Sequence, residues 1–318
     1  MTWIAYHHPE HAAAWCATQR EQGRSIGFVP TMGALHEGHL SLVRAAAAQN
    51  DVVCVSIFVN PLQFGEARDF QDYRRDFEGD CELLHQAGAH MAFTGELAQF
   101  FPGRLKADGD LHPEFLEDPG PSAEGLEGAF RPGHFAGVAT IVRRLFEIVG
   151  ATRAYFGAKD YQQTLVVRDL AARLGGPEIH VCPTLREDSG LARSSRNERL
   201  SPEHRARAMF VSRALYAAQA LWNLGERHPD VLSEMMRAVL ALGDLEVEYA
   251  AVRDPRHFQS GPISHPLHHA VALIAARVGR RASDRQHGTL DSSGAFRTGG
   301  TRSLAVRGGH RVSPPAGR

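Results

Sequence analysis

Two histidines, His36 and His39, lie close together at a point where the chain could hold a phosphate group. Residues 25–29 form a short apolar run typical of a buried strand, and residues 40–48 are mostly strong helix formers. A helix that begins near His36 presents both imidazoles on one face of its first turn, beside free backbone N–H groups and the positive end of the helix dipole. This spacing predicts an anion site; the alternative is a pair of surface histidines in a turn.

Polar residues follow three further strand-like segments. Residues 60–64, 157–160 and 186–197 come after apolar runs, as residues 30–39 do. Strand-like and helix-like segments alternate up to residue 186, which predicts an α/β domain with a Rossmann-like, doubly wound parallel sheet. Ligands bind outside the carboxyl ends of the strands in such sheets, so we expect the four clusters to form one site.

The chain is long enough for a second domain. Beyond the first domain, residues 1–186, long helical segments are followed by a strand-like run at 245–252 and an alanine-rich segment at 270–278 that we expect to be helical. This pattern predicts a smaller α+β C-terminal domain over residues 187–280 that closes over the first. Residues 102–133 are expected to form either a lid or an embellished surface loop.

The composition limits the class of protein. With 43% hydrophobic residues, 22% charged residues and a formal net charge of −1, the chain has no bulk attraction to nucleic acid or to anionic membranes. No apolar run approaches the ~18 residues of a membrane span and no signal peptide is evident, so we expect a cytoplasmic protein. The four cysteines form no C-x-x-C pair and are expected to be free thiols. Only Lys106 and Lys159 among 35 basic residues are lysines.

Five sequence blocks occur in a fixed order along the chain. They are PTMGALHEGH (30–39), SIFVNPLQF (56–64), LEGAFRPGHFAGVATIV (126–142), YFGAKDYQQ (155–163) and GLARSSRN (190–197). Together they resemble the pantoate:β-alanine ligase family, whereas the H-x-G-H motif alone is shared with other nucleotidyltransferases. The resemblance implies two steps. Pantoate and ATP give pantoyl adenylate and pyrophosphate, and β-alanine then displaces AMP to form the amide of pantothenate.

The resemblance also implies a set of site residues. The catalytic candidates are His39, His36, Lys159 and Arg196, with His39 the better candidate for a proton donor. The residues implied around ATP are Met32, Gly33, Ala34, Leu35, His36, Glu37, Gly38, His39, Gly157, Ala158, Lys159, Asp160, Leu185, Arg193, Ser194, Ser195 and Arg196. Those implied for the other substrates are Gln63 and Gln163 on pantoate, with Gln63 also near β-alanine, and Asn60 and Arg131 as further candidates.

The residue types suit this chemistry. Adenylation requires the enzyme to position two anions and to stabilise charge on the phosphates, which imidazole and cationic side chains can do. Neutral amides bind the hydroxyls and the carboxylate of a small hydroxy acid without adding a competing charge. Mg²⁺ is expected to bridge phosphate oxygens while it keeps several waters, and Asp80 is its candidate carboxylate, either as a direct ligand or in the next shell.

Two alternatives to a working ligase stay open at this point. Another H-x-G-H nucleotidyltransferase would keep the phosphate site but would not need the pair Gln63 and Gln163. A product of a damaged gene could bind ATP without turnover. A homodimer is expected from the family resemblance alone, because the residues themselves identify no interface.

The end of the chain departs from the family. Members continue after a segment like residues 272–279 into Arg-Leu-Ile-Asp-Asn, whereas this chain continues into an Arg- and Gly-rich tail. One permitted codon choice for residues 281–290, read one base later, encodes Ala-Arg-Leu-Ile-Asp-Asn. The tail, residues 281–318, is therefore expected to be a frameshifted and disordered extension, with a natural basic tail as the alternative.

Overall fold

A parallel sheet organises the larger part of the molecule, as the sequence predicts, and it has six strands. The computed structural model describes residues 3–258, 261, 263–279 and 285–291. The strands are β1 (Ile4–Tyr6), β2 (Ile26–Thr31), β3 (Val52–Ile57), β4 (Met91–Phe93), β5 (Arg153–Gly157) and β6 (Glu178–Cys182). Their order in the sheet is β1-β4-β3-β2-β5-β6. The connections therefore reverse direction between β2 and β5, which makes that gap the topological switch point.

Helices cover both faces of this sheet. They are α1 (Pro9–Glu21), α2 (Glu37–Ala47), α3 (Ala67–Gln71), α4 (Phe77–Gln86), α5 (Leu97–Phe100), α6 (Leu126–Phe130), α7 (His134–Val149) and α8 (Tyr161–Leu174). Helices α1, α7 and α8 pack on one face and α2 and α4 on the other. Successive side chains of a strand point to opposite faces, so Val52 and Cys54 join the first core whereas Val53 and Val55 join the second. Burial on both faces explains why the central strands are continuous apolar runs.

The C-terminal part is a smaller α+β unit. It contains α9 (Pro202–Asn223), α10 (Pro229–Ala241) and an antiparallel sheet of β7 (Glu246–Arg253), β8 (Val271–Arg277) and β9 (Arg285–Asp291), in the order β7-β8-β9. Both helices pack with these strands around a separate apolar core. The predicted boundary at residue 186 lies between the last parallel strand and α9, and it stays a prediction.

Two expectations for the C-terminal part are wrong. The alanine-rich segment expected to be helical is strand β8, because it pairs along its whole length with β7 and β9 and this pairing outweighs intrinsic helix propensity. Residues 285–291 of the tail, expected to be disordered, form β9. The rest of the tail, residues 281–284 and 292–318, lies outside the described residues.

The segment 102–133 is anchored to two helices, which fits the surface-loop alternative. The backbone N–H of Glu117 donates to Thr140 Oγ1 on α7 at 2.8 Å, and Ser122 Oγ donates to Asp169 on α8 at 2.6 Å. All four cysteines are free, as the sequence predicts. Among the described helices, none has both the length and the apolar character needed to cross a membrane.

Strand β9 should contribute to stability, and deletion variants can measure this. Deleting residues 285–318 removes the partner of β8 and leaves Glu127, which Arg285 contacts through two hydrogen bonds, as a buried carboxylate. Because breaking a buried ion pair costs about 3–5 kcal/mol, we expect Tm to fall by about 5 °C or more. Deleting only residues 292–318 is the matched control. Equal Tm values for the two variants would contradict a structural role for β9.

The frameshift hypothesis stays a prediction, which the same Tm measurement can test. Gln286 of β9 is 2% exposed, and its Nε2 atom has no hydrogen-bond partner among the described residues. Replacing residues 281–290 with Ala-Arg-Leu-Ile-Asp-Asn-Thr-Glu-Leu supplies apolar side chains, each worth roughly 1.5–3 kcal/mol when fully buried. The replacement also puts Asp in the place of Arg285 and removes the ion pair with Glu127, which by itself lowers Tm. If the frameshift hypothesis is right, the restored residues more than offset this loss and Tm rises by several degrees; an unchanged or lower value would oppose it, and the genomic reading frame would decide it.

Candidate active site

The two histidines cap the start of α2 reciprocally. His36 Nδ1 accepts a hydrogen bond from the Gly38 backbone N–H at 3.1 Å, and His39 Nδ1 accepts one from the His36 N–H at 3.4 Å. The rings stack with centroids 4.1 Å apart. Since each Nδ1 is an acceptor, a neutral ring carries its proton on Nε2. The capping box therefore fixes two Nε2–H donors at the helix start, where an anion is favoured.

Both histidines are neutral at physiological pH. Burial, with the nearby Lys159 charge as a further cause, lowers the pKa of His36 to about 4. Burial, followed by the charges of His36 and Lys159, lowers the pKa of His39 to about 3. In the free protein the pair thus donates hydrogen bonds without carrying charge. The charge of a bound phosphate would raise both pKa values.

Asp80 on α4 holds the loop that precedes the histidines. Its Oδ2 accepts from the Ala34 N–H and its Oδ1 from the Leu35 N–H, both at 2.9 Å. The turn has φ of +80° at Gly33 and +50° at Ala34, and a Cβ on Gly33 would lie 2.8 Å from Asp80 Oδ2. Glycine at this position is therefore a steric requirement.

The structure places Asp80 behind this loop. The side chain is 4% exposed and lines a separate cavity with Ile57 and Phe77. Within the described part of the chain, no group of three or more His, Cys, Asp or Glu side chains could hold a metal ion. The magnesium role of Asp80 stays a prediction, and the observed contacts assign the carboxylate to loop support.

Loops that follow four strands line one cleft at the switch point. The predicted residues in its wall are Met32, His36, Gly38, His39, Asn60, Gln63, Gly157, Lys159, Asp160, Gln163, Leu185, Arg193, Ser194, Ser195 and Arg196. Ala158 lies in the short 3₁₀ turn Ala158–Asp160, beside this wall. Gly33, Ala34 and Leu35 form the loop on Asp80, and Glu37 pairs with Arg44 at the surface. The cleft thus unites all four polar clusters of the sequence.

Lys159 adds a positive charge close to the histidines. Its Nζ atom lies 3.0 Å from Asp160 Oδ1, and its side chain is 21% exposed. Lys159 lines the same cleft as His36 and His39, and its charge is one cause of the lowered pKa of both histidines. The site therefore combines two neutral donors with a cation on the opposite side of the switch point.

Asn60 is a support for Gln63. It is 1% exposed, and its Nδ2 donates to Gln63 Oε1 and to the Gly137 carbonyl, each at 3.1 Å. Its Oδ1 accepts from the Leu62 N–H at 3.3 Å. Both polar atoms of the Asn60 amide are thus used within the protein, which orients the Gln63 amide towards Met32 Sδ, 3.1 Å from Gln63 Nε2.

Arg131 and His134 fix the backbone of the same glutamine. Arg131 Nη2 donates to the Gln63 carbonyl at 3.0 Å, and His134 Nδ1 lies 2.9 Å from that oxygen. A carbonyl only accepts, so the His134 proton is on Nδ1, and Nε2 faces Arg131 Nη1 at 3.4 Å. Burial, followed by the charge of Arg131, lowers the pKa of His134 to about 4. Arg131 therefore positions Gln63, and it also lines a smaller cavity next to the cleft.

Arg196 is paired with an acid that the sequence analysis did not single out. Its Nη2 lies 3.1 Å from Asp69 Oδ2, and the two side chains are 21% and 9% exposed. Asp69 lies on the short helix α3, outside the five sequence blocks, so no motif pointed to it. This pair places the guanidinium in the wall shared by the cleft and the smaller cavity.

A polar network shapes the loop that carries Ser194, Ser195 and Arg196. Asn197 Nδ2 donates to Glu187 Oε1 at 3.1 Å and to the Ala192 carbonyl at 2.9 Å, and Arg205 pairs with Glu187 at 2.5 Å. Ser194 Oγ accepts from the Arg196 N–H at 3.3 Å and caps the turn. This loop is thereby tied to α9 of the C-terminal unit.

A doubly wound sheet with an anion-favouring helix start at its switch point defines the class of nucleotide-binding α/β proteins. The family profile described as Pantoate-beta-alanine ligase matches residues 5–284. The chain belongs to this family, which decides against another nucleotidyltransferase. The pantothenate synthetases of Brucella canis and Brucella ovis are each 44% identical to it over 265 residues, 83% of this chain and 87% of theirs.

Solved structures agree with this assignment. The pantothenate synthetase from Thermus thermophilus superposes with a TM-score of 0.79 at 40% identity, covering 92% of this chain and 99% of that one. The pantoate-β-alanine ligase from Francisella tularensis, described as complexed with beta-gamma ATP and β-alanine, gives a TM-score of 0.70 at 29% identity, with 92% and 98% covered.

The neutral histidines predict a specific loss of stability in acid. The pKa of His36 is about 4 in the folded protein against an ordinary 6.5, so the folded state binds fewer protons between these values. The contribution of His36 to folding stability is therefore fully present above pH 6.5 and is lost as pH falls towards 4. His36→Asn keeps a good helix cap without a titrating group. Between pH 7 and 4.5, we expect Tm to fall less in this variant than in the wild type; equal falls would contradict the assignment.

Proposed function

We propose that this chain ligates pantoate and β-alanine with ATP, through pantoyl adenylate, and releases AMP and pyrophosphate. Family membership supports the overall reaction. The observation that carries the residue assignment is the single cleft that the His36 and His39 donors, Lys159 and Gln163 all line. Cytoplasmic location and a homodimer are parts of the same proposal, and the mass of the purified protein in solution tests the second.

In the first step, a pantoate carboxylate oxygen attacks the α-phosphorus of ATP, and the bond from that phosphorus to pyrophosphate breaks. The Nε2–H groups of His36 and His39 donate to phosphate oxygens from the start of α2. Lys159 and Arg196 supply positive charge where pyrophosphate gains negative charge. Because the donors are fixed by capping before ATP binds, little reorganisation is needed at the moment of reaction.

Gln63 and Gln163 bind pantoate in this proposal. Both line the cleft and the smaller cavity beside it. Their amides can donate to the carboxylate and exchange hydrogen bonds with the hydroxyls. Since neither carries a charge, the carboxylate keeps its nucleophilic oxygen free of a salt bridge.

In the second step, the amine of β-alanine attacks the acyl carbon of pantoyl adenylate. The carbon–nitrogen bond forms, the carbon–oxygen bond to AMP breaks, and the amine loses a proton. The same phosphate donors then stabilise the leaving AMP. The Francisella complex with β-alanine supports a β-alanine site in this family.

Magnesium belongs to the proposal as the counter-ion of ATP. Within the described residues, the acids do not form a protein-built metal site, and both Asp80 oxygens accept backbone hydrogen bonds. With so few carboxylate ligands from the protein, a Mg²⁺ ion would be held mainly by phosphate oxygens and water. The ion would then reduce charge repulsion between ATP and the incoming carboxylate.

The reaction can be tested by coupled AMP release with pantoate, β-alanine, ATP and Mg²⁺, and by pantoate-dependent exchange between ATP and pyrophosphate. AMP release that requires both acids supports the proposal. ATP binding without turnover would instead identify the product of a damaged gene.

His39→Ala should slow adenylation by about 10²–10³-fold, the usual effect of removing one preorganised donor. His36→Ala should act similarly, since the two rings form one capping unit. Pyrophosphate exchange measures adenylation directly, and circular dichroism checks that the fold is kept. Exchange at the wild-type rate with unchanged ATP affinity would remove the histidines from the mechanism.

Gln163→Ala should raise the KM for pantoate more than the KM for ATP. A site built to hydrogen-bond hydroxyls loses selectivity when one polar partner is removed. Titrating each substrate at saturating levels of the others separates the two constants. An equal loss for both would point to a general distortion of the cleft.

A further inference from the structure

A buried group of charged and polar side chains connects the C-terminal sheet to Gln63. We define the Glu127 cluster as Glu127, Arg131, Glu248, Tyr249 and Arg285. The side chains of Glu127, Glu248 and Arg285 are only 8%, 9% and 7% exposed. They come from α6, β7 and β9, so the cluster lies where the two parts of the molecule meet.

Glu127 is the centre of this cluster. Arg285 donates to both of its oxygens, Nη1 to Oε1 at 2.5 Å and Nη2 to Oε2 at 2.8 Å. Tyr249 Oη donates to Oε2 at 3.1 Å, and Arg131 Nη1 donates to Oε1 at 3.3 Å. Arg285 also pairs with Glu248. One carboxylate thus joins two strands of the C-terminal sheet to Arg131.

Arg131 connects Glu127 to the proposed pantoate site. Its second amino group donates to the Gln63 carbonyl at 3.0 Å, so Glu127 contributes through one side chain to the position of Gln63, alongside His134 and Asn60. On its other side, the Glu127 backbone N–H donates to Gln162 Oε1 at 3.0 Å, beside Gln163. Glu127 therefore contacts the side chain of Arg131, which holds Gln63, and the side chain of Gln162, the chain neighbour of Gln163.

We propose that Glu127 is a positioning residue that couples the C-terminal sheet to pantoate binding through Arg131. Glu127 lines the smaller cavity, and its carboxylate accepts hydrogen bonds from Arg285, Tyr249 and Arg131, so we place its effect on Gln63 through Arg131. Arg285 and Tyr249 orient Glu127, Glu127 orients Arg131, and Arg131 orients Gln63. This inference rests on the proposed assignment of Gln63 and Gln163 to pantoate.

Glu127→Gln tests the inference, because it keeps the size of the side chain and removes its charge. We expect kcat/KM for pantoate to fall about ten- to a hundredfold, as a small misplacement of a binding group can do, while the KM for ATP changes less than about twofold. Glu124→Gln alters an exposed acid of the same segment and is the matched control. Tyr249→Phe removes one hydrogen bond to Glu127 and should give a smaller fall of the same kind.

A double-mutant cycle separates positioning from a general structural role. If Glu127 acts through Arg131, Glu127→Gln/Arg131→Met should be within about twofold of Arg131→Met alone in kcat/KM for pantoate. Multiplied effects, or equal losses for ATP and pantoate, would overturn the inference. If Glu127→Gln does not fold, Tyr249→Phe carries the same test.

Gln163→Ala distinguishes the failure of this inference from that of the pantoate assignment. Its amide is not among the partners of Glu127 named above. An unchanged KM for pantoate in Gln163→Ala would contradict the assignment of the glutamines to pantoate. A raised KM in Gln163→Ala together with an unchanged kcat/KM in Glu127→Gln would overturn only the proposed role of Glu127.

Discussion

The reciprocal cap between His36 and His39 is the constraint on which the rest of the site depends. Two imidazolium ions with ring centroids 4.1 Å apart would repel each other, and burial keeps both rings neutral instead. Neutrality lets each Nδ1 accept a backbone N–H and leaves each Nε2–H as a donor. The helix start, the loop on Asp80 and the two Nε2–H groups proposed to bind phosphate thus form a single unit.

Because the histidines are neutral, the positive charge of the cleft must come from other elements. Lys159 supplies it from the end of β5, and Arg196 from the loop after β6. Each is paired with a carboxylate, Asp160 and Asp69 respectively, which compensates the charge of a partly buried cation. A phosphate in the cleft therefore meets cations that are already oriented, with donors that need no protonation.

The features that could be predicted from sequence are those encoded by local pattern. Strand-like runs identified five of the six parallel strands, all but the short β1, and the residues after them identified the cleft, because sheet topology alone brings strand ends together. Contacts between distant segments were missed: Glu127 and Arg285 are 158 residues apart, and no spacing rule relates them. The same cause explains the errors at β8 and β9. The alanine-rich run forms strand β8, and the polar tail segment forms the edge strand β9, only because each can pair with a neighbouring strand.

The two glutamines of the proposed pantoate site have unequal freedom to change. Gln63 is fixed by Asn60 at its side chain and by Arg131 and His134 at its carbonyl. Moving it disturbs a buried cluster of charges, and breaking one such pair costs about 3–5 kcal/mol. Gln163 is only half-buried, at the start of α8, and lines both cavities. A substitution at Gln163 should therefore change substrate preference with a smaller loss of folding stability than a substitution at Gln63, whose contacts belong to a buried cluster.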